Sequence, residues 1–588
     1  MQGVLDKARS MLRSARRAAK GALAPQRVLE RRPGEGESQR ANRPIPIPQD
    51  LDAALCEVEG FIGTSSGLKI RRLTILEVPA AILYIEEIVD RSRLETGVVA
   101  PLILEAEKLR RLGRKDPVTP DLVVGRVAVA AQTKRLNDIR DIVWSVLDSA
   151  AVVVAAGWRQ AVSLQIPGTD RRAVVAPEME VTVRGPREGF VERIDANVGL
   201  IRYRLKHPRL RIVNLTVGRY TRSKVAVLYV EGLARVEVVA EAVSRIKRID
   251  IDAVVDSGQV EEFIEDSPLS PFPQVGSTER PDHAVGGLVQ GRVVILVDSS
   301  PFALIVPFPG ISFLQSAEDY YQRWVASLIT RTIRLISVLV ALFLPSAYVA
   351  FTTFHQEVIP RSLALAIAVQ REMVPYPAIV EALALTLVFE IVTEASIRLP
   401  RPMGLTIGIV GTLVIGESAV RANLISNVMV IVIAATALAQ FTIMHPMTVT
   451  VRLLRLPILL LSSTLGLFGI FFATIAILLH LSSLRTFGEP YLTPYAPALA
   501  PDMKDTTLRL PIWAQVTRPS LEATRNLVRQ PPGQRPRRPS RESDVLELEA
   551  VETRKLSENP PKAQDEIVSG QDDGLGRVRR PKPASKGR

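Results

Sequence analysis

Polar side chains inside an apolar segment are the first candidates for chemistry in this sequence. Within Ala378–Ile397, which also carries Glu381, a polar stripe at helical spacing is formed by Thr386, Glu390, Thr393 and Glu394. Such a stripe must face protein or a water-filled path, because a charge is costly at the centre of a bilayer. Two interpretations stay open. The glutamates line an ion path, or they pair with arginines of their own or neighbouring helices, such as Arg398 or Arg421.

A second group of candidates lies in the next apolar segment, Gly404–Val420, which is interrupted by Gly404, Gly408, Gly411 and Gly416. Small residues at this spacing permit close contact between helices. Glu417 and Arg421 stand one helical turn apart and could form an ion pair. The segment is either a tightly packed helix at a subunit interface or a pore-lining helix. The second interpretation places three side chains toward the lumen: Val410, Val414 and Glu417.

Two charged turns are the next candidates. The first contains Arg184, Gly185, Pro186 and Glu188. It lacks the Lys-Ser/Thr pair of a phosphate-binding loop, which favours a structural turn over a nucleotide site. The second consists of Thr278, Glu279, Arg280, Pro281 and Asp282. Its opposite charges predict a salt-bridged turn.

Cysteine and histidine give no support for an enzyme or a metal centre. Cys56 is the only cysteine, which excludes an intramolecular disulfide and a site built on several cysteines. The five histidines are scattered without the spacing of metal ligands. No nucleophile–base pattern stands out, so we expect neither catalysis nor a cofactor.

The elements that position these residues are predicted from long apolar segments between residues 335 and 480. Leu335–Phe354 has about the length of a bilayer-spanning helix, ~20 residues. Ile425–Thr442 and Leu456–His480 are further candidates. The sequence therefore predicts a multi-pass integral membrane protein with a helical membrane domain at 326–485.

Basic residues indicate the topology of that domain. Arg323, Arg331 and Arg334 precede the first span and place the N-terminal half in the cytoplasm. Four spans with re-entrant pieces at Ser362–Val374 and Gly404–Val420 would return the tail to the cytoplasm. In that scheme Arg452 and Arg455 would face outward, which argues against it. If Gly404–Val420 is a full span, Arg452 and Arg455 lie on the cytoplasmic side and the tail lies outside.

The N-terminal half reads as an α+β region of two mixed α/β subdomains, at 51–165 and 166–325. Apolar runs or alternation predict strands at Ala151–Ala156, Leu210–Val217, Lys224–Val230 and Val293–Val297. Periodicity predicts a helix at Val236–Ile249. No internal repeat is expected.

The two ends of the chain carry much of its formal charge of +13. Residues 1–50 are predicted to be a basic, disordered arm ending in a proline-rich linker, and residues 486–588 a polar, proline-rich and largely disordered tail. Such ends are either solvated or in contact with an anionic membrane surface, which makes membrane lipid a candidate partner.

Short motifs occur in a fixed order along most of the chain. They include Pro79–Tyr84, Val183–Phe190, Ser277–Asp282, Asp298–Pro301, Glu394–Pro400, Gly408–Gly416 and Ser483–Leu492. Each is weak alone. Together and in this order they resemble the A-subunit family of spore germination receptors, the GerA family. A paralogue that acts in spores as an accessory channel has a similar sequence.

The resemblance implies a role in starting germination from the spore inner membrane, with the large N-terminal domain cytoplasmic. It implies a nutrient-responsive complex with a second integral membrane subunit and a lipoprotein subunit, and no nucleic-acid partner. It further implies a homo-oligomer that acts as a ligand-gated cation channel. A nutrient or ion transporter and a membrane-anchored scaffold are the alternatives.

Overall fold

The computed structural model describes residues 44–63, 67–75, 78–104, 120, 132–168, 176–398, 416–506, 509–521 and 526–536. The elements below all fall within one structural unit, Met1–Pro532.

The first subdomain is an antiparallel five-stranded sheet with helices packed on it. Its helices are α1 (Leu51–Ile62), α2 (Arg91–Leu94, continued by a π turn at Glu95–Val99) and α3 (Ile139–Leu147). Its strands are β1 (Leu68–Ile75), β2 (Val78–Ile85), β3 (Thr133–Leu136), β4 (Ala150–Ala155) and β5 (Ala161–Gln165), in the order β1-β2-β4-β5-β3. The six small or β-branched residues of β4 are all buried, which suits a central strand.

The second subdomain contains another antiparallel five-stranded sheet. Its helices are α4 (Ile194–Arg204), α5 (Val236–Lys247), α6 (Ser257–Ile264) and α7 (Pro281–Gln290). Its strands are β6 (Leu210–Val217), β7 (Ser223–Val230), β8 (Gly276–Thr278), β9 (Val293–Val297) and β10 (Ala303–Val306), in the order β6-β7-β9-β10-β8. The strands predicted at β4, β6, β7 and β9 and the helix predicted at α5 are confirmed.

The two subdomains repeat one architecture, and the expectation of no internal repeat is wrong. Both sheets place their strands in the same relative order, and a helix precedes the first strand of each. A sequence signal accompanies the repeat. Leu83-Tyr84-Ile85-Glu86 ends β2, and Leu228-Tyr229-Val230-Glu231 ends the equivalent β7. Both strands also share the same burial pattern.

The C-terminal part is helical. Its helices are α8 (Trp324–Thr353), α9 (Arg361–Glu372), α10 (Ala378–Arg398), α11 (Asn427–Phe441), α12 (Met447–Leu465) and α13 (Leu467–Ser483). Among the described residues, α8 and α12 are long and apolar enough to cross a membrane, while α11 and α13 are shorter apolar helices. Helix α8 has 30 residues and is therefore about 45 Å long.

The segment Leu456–His480, expected as one span, is divided between two helices. Gly466 ends α12 with φ 62° and ψ −136°, a conformation that glycine tolerates and other residues disfavour. Gly469 at the start of α13 then lies against the backbone of Leu461, where an added Cβ would be 2.2 Å from the carbonyl oxygen. The chain therefore folds back on itself at Gly466.

The second subdomain and the helices share one core. A continuous cluster of buried apolar side chains includes Ile201, Leu228 and Leu296 of the subdomain together with Leu342 of α8 and Val451 of α12. Burial of such side chains is the main stabilising contribution to a fold. The helices are therefore packed on the sheet domain and not merely tethered to it.

Residues after α13 add an ordered segment at the start of the predicted tail. A short hairpin, β11 (Arg485–Thr486) and β12 (Glu489–Pro490), returns to the second subdomain. The Thr486 hydroxyl donates to the Gln274 carbonyl at 2.8 Å, and the Tyr491 carbonyl accepts from the Gly310 N–H at 2.8 Å. Residues 537–588 lie outside the described part.

Candidate functional site

The two charged turns predicted from sequence meet around Arg280. Its side chain is 1% exposed and its guanidinium donates to four different acceptor residues. These are the Asp282 carboxylate (2.8 Å), the Thr182 hydroxyl (3.0 Å), the Pro186 carbonyl (2.9 Å) and the Glu180 carbonyl (3.2 Å). A planar guanidinium with five N–H donors suits such a set, which an ammonium group could not satisfy.

Carboxylates near this guanidinium connect residues 178–180, which precede the first charged turn, to Thr278 and Glu279 of the second charged turn. The Glu279 carboxylate accepts from the backbone N–H groups of Glu178 (2.8 Å) and Met179 (3.1 Å). The Thr278 hydroxyl donates to Glu180 at 2.6 Å. Pro281 occupies the first turn of α7, where its missing N–H costs nothing.

Two of these carboxyl groups have shifted pKa values. Burial raises the pKa of Glu180 to about 7, although the Thr278 hydrogen bond and the charge of Arg280 oppose the shift. Burial also acts to raise the pKa of Asp282, but hydrogen bonds from Arg280 and Tyr321 lower it below its ordinary value. The site therefore combines one carboxylate that is firmly ionised with one that titrates near neutral pH.

The first turn packs against the residues that lead to α8. Gly185 has φ 132°, and a Cβ there would lie 2.6 Å from the Tyr321 ring. Glu188 accepts from Arg204 at 2.6 Å, while Arg184 is exposed. The Tyr321 hydroxyl donates to Asp282. The turn thus couples the second subdomain to the start of α8, in agreement with a structural role.

A buried ionic cluster fastens α8 to the ordered segment after α13. The Arg331 guanidinium donates to Asp319 (2.9 Å) and to Asp505 (3.0 Å), and the Tyr320 hydroxyl also donates to Asp505 (2.8 Å). Arg509 donates to the Asp319 carbonyl. Arg331 was expected to mark the cytoplasmic end of a span. In the structure it is 3% exposed and is an internal partner.

The polar stripe of α10 is paired within the helical region. Glu390 forms an ion pair with Arg452, and its other oxygen lies 3.9 Å from the Arg455 guanidinium. Arg455, 3% exposed, donates to the Gln440 amide oxygen at 2.6 Å and to the Ala341 carbonyl at 2.9 Å. Glu390 is therefore paired with arginines from a neighbouring helix, as one interpretation expected, while Arg421 pairs with Glu417. The side chain of Arg398 lies outside the described residues.

The remaining predicted residues are placed separately. Thr386 is half-buried and Glu394 is exposed on the same helix. Glu417 and Arg421 form the expected ion pair at 2.6 Å, and both are exposed. Val410 and Val414 lie outside the described residues.

Sequence reasoning missed Arg452, Arg455 and Gln440 as site residues. It used the two arginines only as topology markers. The available signal was that basic side chains three residues apart within an apolar helix need buried partners. Within the described ranges, no cluster of His, Cys, Asp or Glu could hold a metal ion.

Fold and contacts define a class of protein in which a duplicated α/β region is packed onto apolar helices with an internal ionic network. A family model, "Bacillus/Clostridium GerA spore germination protein", matches residues 57–521. The chain belongs to this family.

Individual relatives match over most of their length. The chain is 37% identical over 502 residues to spore germination protein KA of Bacillus subtilis (strain 168), covering 85% of this chain and 91% of that protein. It is 36% identical over 485 residues to spore germination protein GerLA of Bacillus cereus, covering 82% and 97%.

A solved structure also matches. It is the crystal structure of the N-terminal domain of the A subunit of the Bacillus megaterium spore germinant receptor GerK3. The identity is 26%, the coverage is 45% of this chain and 98% of that chain, and the TM-score is 0.36.

Proposed function

We propose that this chain is the A subunit of a nutrient-responsive germinant receptor in the spore inner membrane. The observation that carries the proposal is the family match along residues 57–521, with relatives that are spore germination proteins. In this proposal a second integral membrane subunit and a lipoprotein subunit complete the receptor. The duplicated α/β region is cytoplasmic and the helices form a multi-pass membrane domain.

We further propose that several copies of the chain form a cation channel. Supporting this, the apolar helices hold ionisable groups, Glu390 and Arg455 among them, which a simple anchor would not need. The path is assigned to Gly404–Arg421, with Val410, Val414 and Glu417 toward the lumen and the stripe from Thr386 to Glu394 supporting it. The arginine partners of Glu390 favour that supporting role over direct contact with ions.

Potassium flux from liposomes tests the channel. The purified full-length protein and the co-expressed receptor complex are compared with their Glu417→Gln and Glu390→Gln variants, with and without candidate nutrients. Nutrient-dependent flux that Glu417→Gln changes is the expected result. Absence of flux from the complete complex would reject the channel and leave the scaffold. Flux of nutrient in place of ions would identify a transporter.

A further inference from the structure

Glu381 is a buried carboxylate that joins three separate helices. It lies in the first turn of α10 and is 1% exposed. One carboxylate oxygen accepts from the backbone N–H of Ser426 at 2.8 Å. The other lies 3.8 Å from the Arg371 guanidinium at the end of α9. A buried charge is costly unless it is paired, and Arg371 supplies the opposite charge here.

Ser426 is the N-cap residue, immediately before the first residue of α11. It is 2% exposed, and its hydroxyl accepts from the Met429 N–H at 3.4 Å. The N-terminus of a helix carries a partial positive charge and unpaired N–H groups. Glu381 therefore binds the N-terminus of α11 through a charge-assisted hydrogen bond. Tyr348 of α8 lies close to Glu381.

The residues just before Ser426 end the candidate path. Residues 416–421 are helical and contain the Glu417–Arg421 ion pair. A tight turn follows, in which Asn423 has φ 55° and the Leu424 N–H donates to the Ala419 carbonyl at 2.9 Å. Only residues 422–425 separate that helical stretch from Ser426. A contact that holds Ser426 in place therefore also restricts the position of Arg421, where the helical stretch ends.

We propose that Glu381 is the positioning residue that fixes the place of residues 416–421, the described end of the proposed path, by holding the N-terminus of α11 against α10 and α9. This inference rests on the proposed function, because it takes that segment as the path. Glu381 itself contacts no permeating ion. Its role is to keep the turn at 422–425 in one place.

Cysteine accessibility tests the position independently of conduction. Full-length protein carrying Cys56→Ser and Ile425→Cys is reconstituted in liposomes, and the rate of maleimide labelling is measured. Ile425 is half-buried, so release of the turn exposes it. Glu381→Gln keeps an acceptor oxygen for the Ser426 N–H but removes the negative charge that strengthens this hydrogen bond and pairs with Arg371. We expect the weakened contact to raise the labelling rate by about fivefold or more. The matched control is Glu357→Gln, an exposed glutamate in the α8–α9 connection, and it leaves the rate unchanged.

Potassium flux of the same variants separates the two proposals. Faster labelling with altered flux in Glu381→Gln, and neither change in Glu357→Gln, supports the inference. Unchanged labelling in Glu381→Gln overturns it, whatever the flux. Faster labelling with wild-type flux also overturns it, because the turn then does not set the path. Faster labelling with no flux from any receptor complex supports the positioning of the turn and rejects the channel. If Glu381→Gln does not fold, Arg371→Gln removes the half-buried partner and is tested by the same criteria.

Discussion

The Arg455 guanidinium Nε donates to the Ala341 carbonyl oxygen at 2.9 Å, and this carbonyl is the one that Pro345 leaves without a helical donor. In an α-helix the carbonyl of residue i−4 accepts from the N–H of residue i, and proline has no N–H. An arginine from α12 thus satisfies a backbone acceptor at a proline inside α8. The relationship explains why a buried arginine and an internal proline occur together.

This relationship predicts energetic coupling between Arg455 and Pro345. Arg455→Leu should lower stability by about 2–4 kcal/mol, because Glu390, Gln440 and the Ala341 carbonyl lose a buried partner. In the Arg455→Leu variant, Pro345→Ala supplies a new N–H for the Ala341 carbonyl. Its effect on the free energy of unfolding should therefore be about 1 kcal/mol more stabilising than the effect of Pro345→Ala in the wild type. Unfolding of the four proteins in detergent measures the coupling. Strict additivity would contradict the assignment.

The ion pairs of Glu390 with Arg452 and Arg455 and the ion pair of Glu417 with Arg421 should differ in their contribution to stability. Glu390→Gln leaves Arg455 buried with less compensation and should cost about 2 kcal/mol or more. Glu417→Gln breaks an exposed pair one helical turn apart and should change the free energy of unfolding by less than about 0.5 kcal/mol. Thermal unfolding of both variants in detergent checks this order. Equal losses of stability in the two variants would mean that the buried arginine partners of Glu390 contribute no more to stability than an exposed ion pair does.

Arg280 should not be replaceable by lysine. An ammonium group has three donors and cannot reach the acceptors that the planar guanidinium satisfies, so Arg280→Lys should cost about 2–3 kcal/mol. Arg184→Lys at the exposed end of the neighbouring turn is the matched control and should be neutral within about 0.5 kcal/mol. Chemical unfolding followed by tryptophan fluorescence compares them. Similar stability of the two variants would argue against the Arg280 network.

Glu180 should make stability depend on pH. Its folded pKa is raised to about 7 from an ordinary value of 4.5, so the folded state holds a proton that the unfolded state has lost between these values. Its contribution is therefore fully present below pH 4.5 and is lost as the pH rises through about 7. Because the side chain is half-buried, Glu180→Gln should recover about 2 kcal/mol at pH 8 and little at pH 5. Melting temperatures at both pH values measure this, and a pH-independent difference would exclude the titration.

Two helix glycines should respond in opposite directions to alanine. A Cβ at Gly199 in α4 would lie 2.6 Å from the Glu87 carbonyl oxygen, across the contact between the subdomains. Gly199→Ala should therefore destabilise by about 1–3 kcal/mol. Gly60 in α1 has open space around it, and Gly60→Ala should stabilise by about 0.5–1 kcal/mol. Equilibrium unfolding of both variants decides. If Gly199→Ala and Gly60→Ala destabilise the protein equally, the close contact of Gly199 with the Glu87 carbonyl is not the cause of the effect.

Much of the α/β region could be predicted from sequence because its strands are local patterns. The β-branched run of β9 and the alternation in β6 indicate strands without knowledge of their neighbours. The repeat was missed because its signal, Leu-Tyr-(Ile/Val)-Glu, is short and becomes convincing only once the strand orders are compared.

Contacts distant in sequence could not be predicted. Apolar composition continues through Gly466, so only the backbone conformation reveals that the chain reverses there. The partners of Arg331 and Arg455 lie 174 and 114 residues away, at Asp505 and Ala341. Charge patterns identified these arginines only as markers of membrane topology and contained no information about their partners.

Both ends of the helical region are attached to the same sheet domain. Asp319 holds the entry through Arg331, and the Gly310 N–H holds the exit through Tyr491. A chain segment whose two ends are attached to one domain is a closed loop, and its ends cannot separate independently. A displacement of α8 away from this domain therefore has to be accommodated by the helices up to α13 as well.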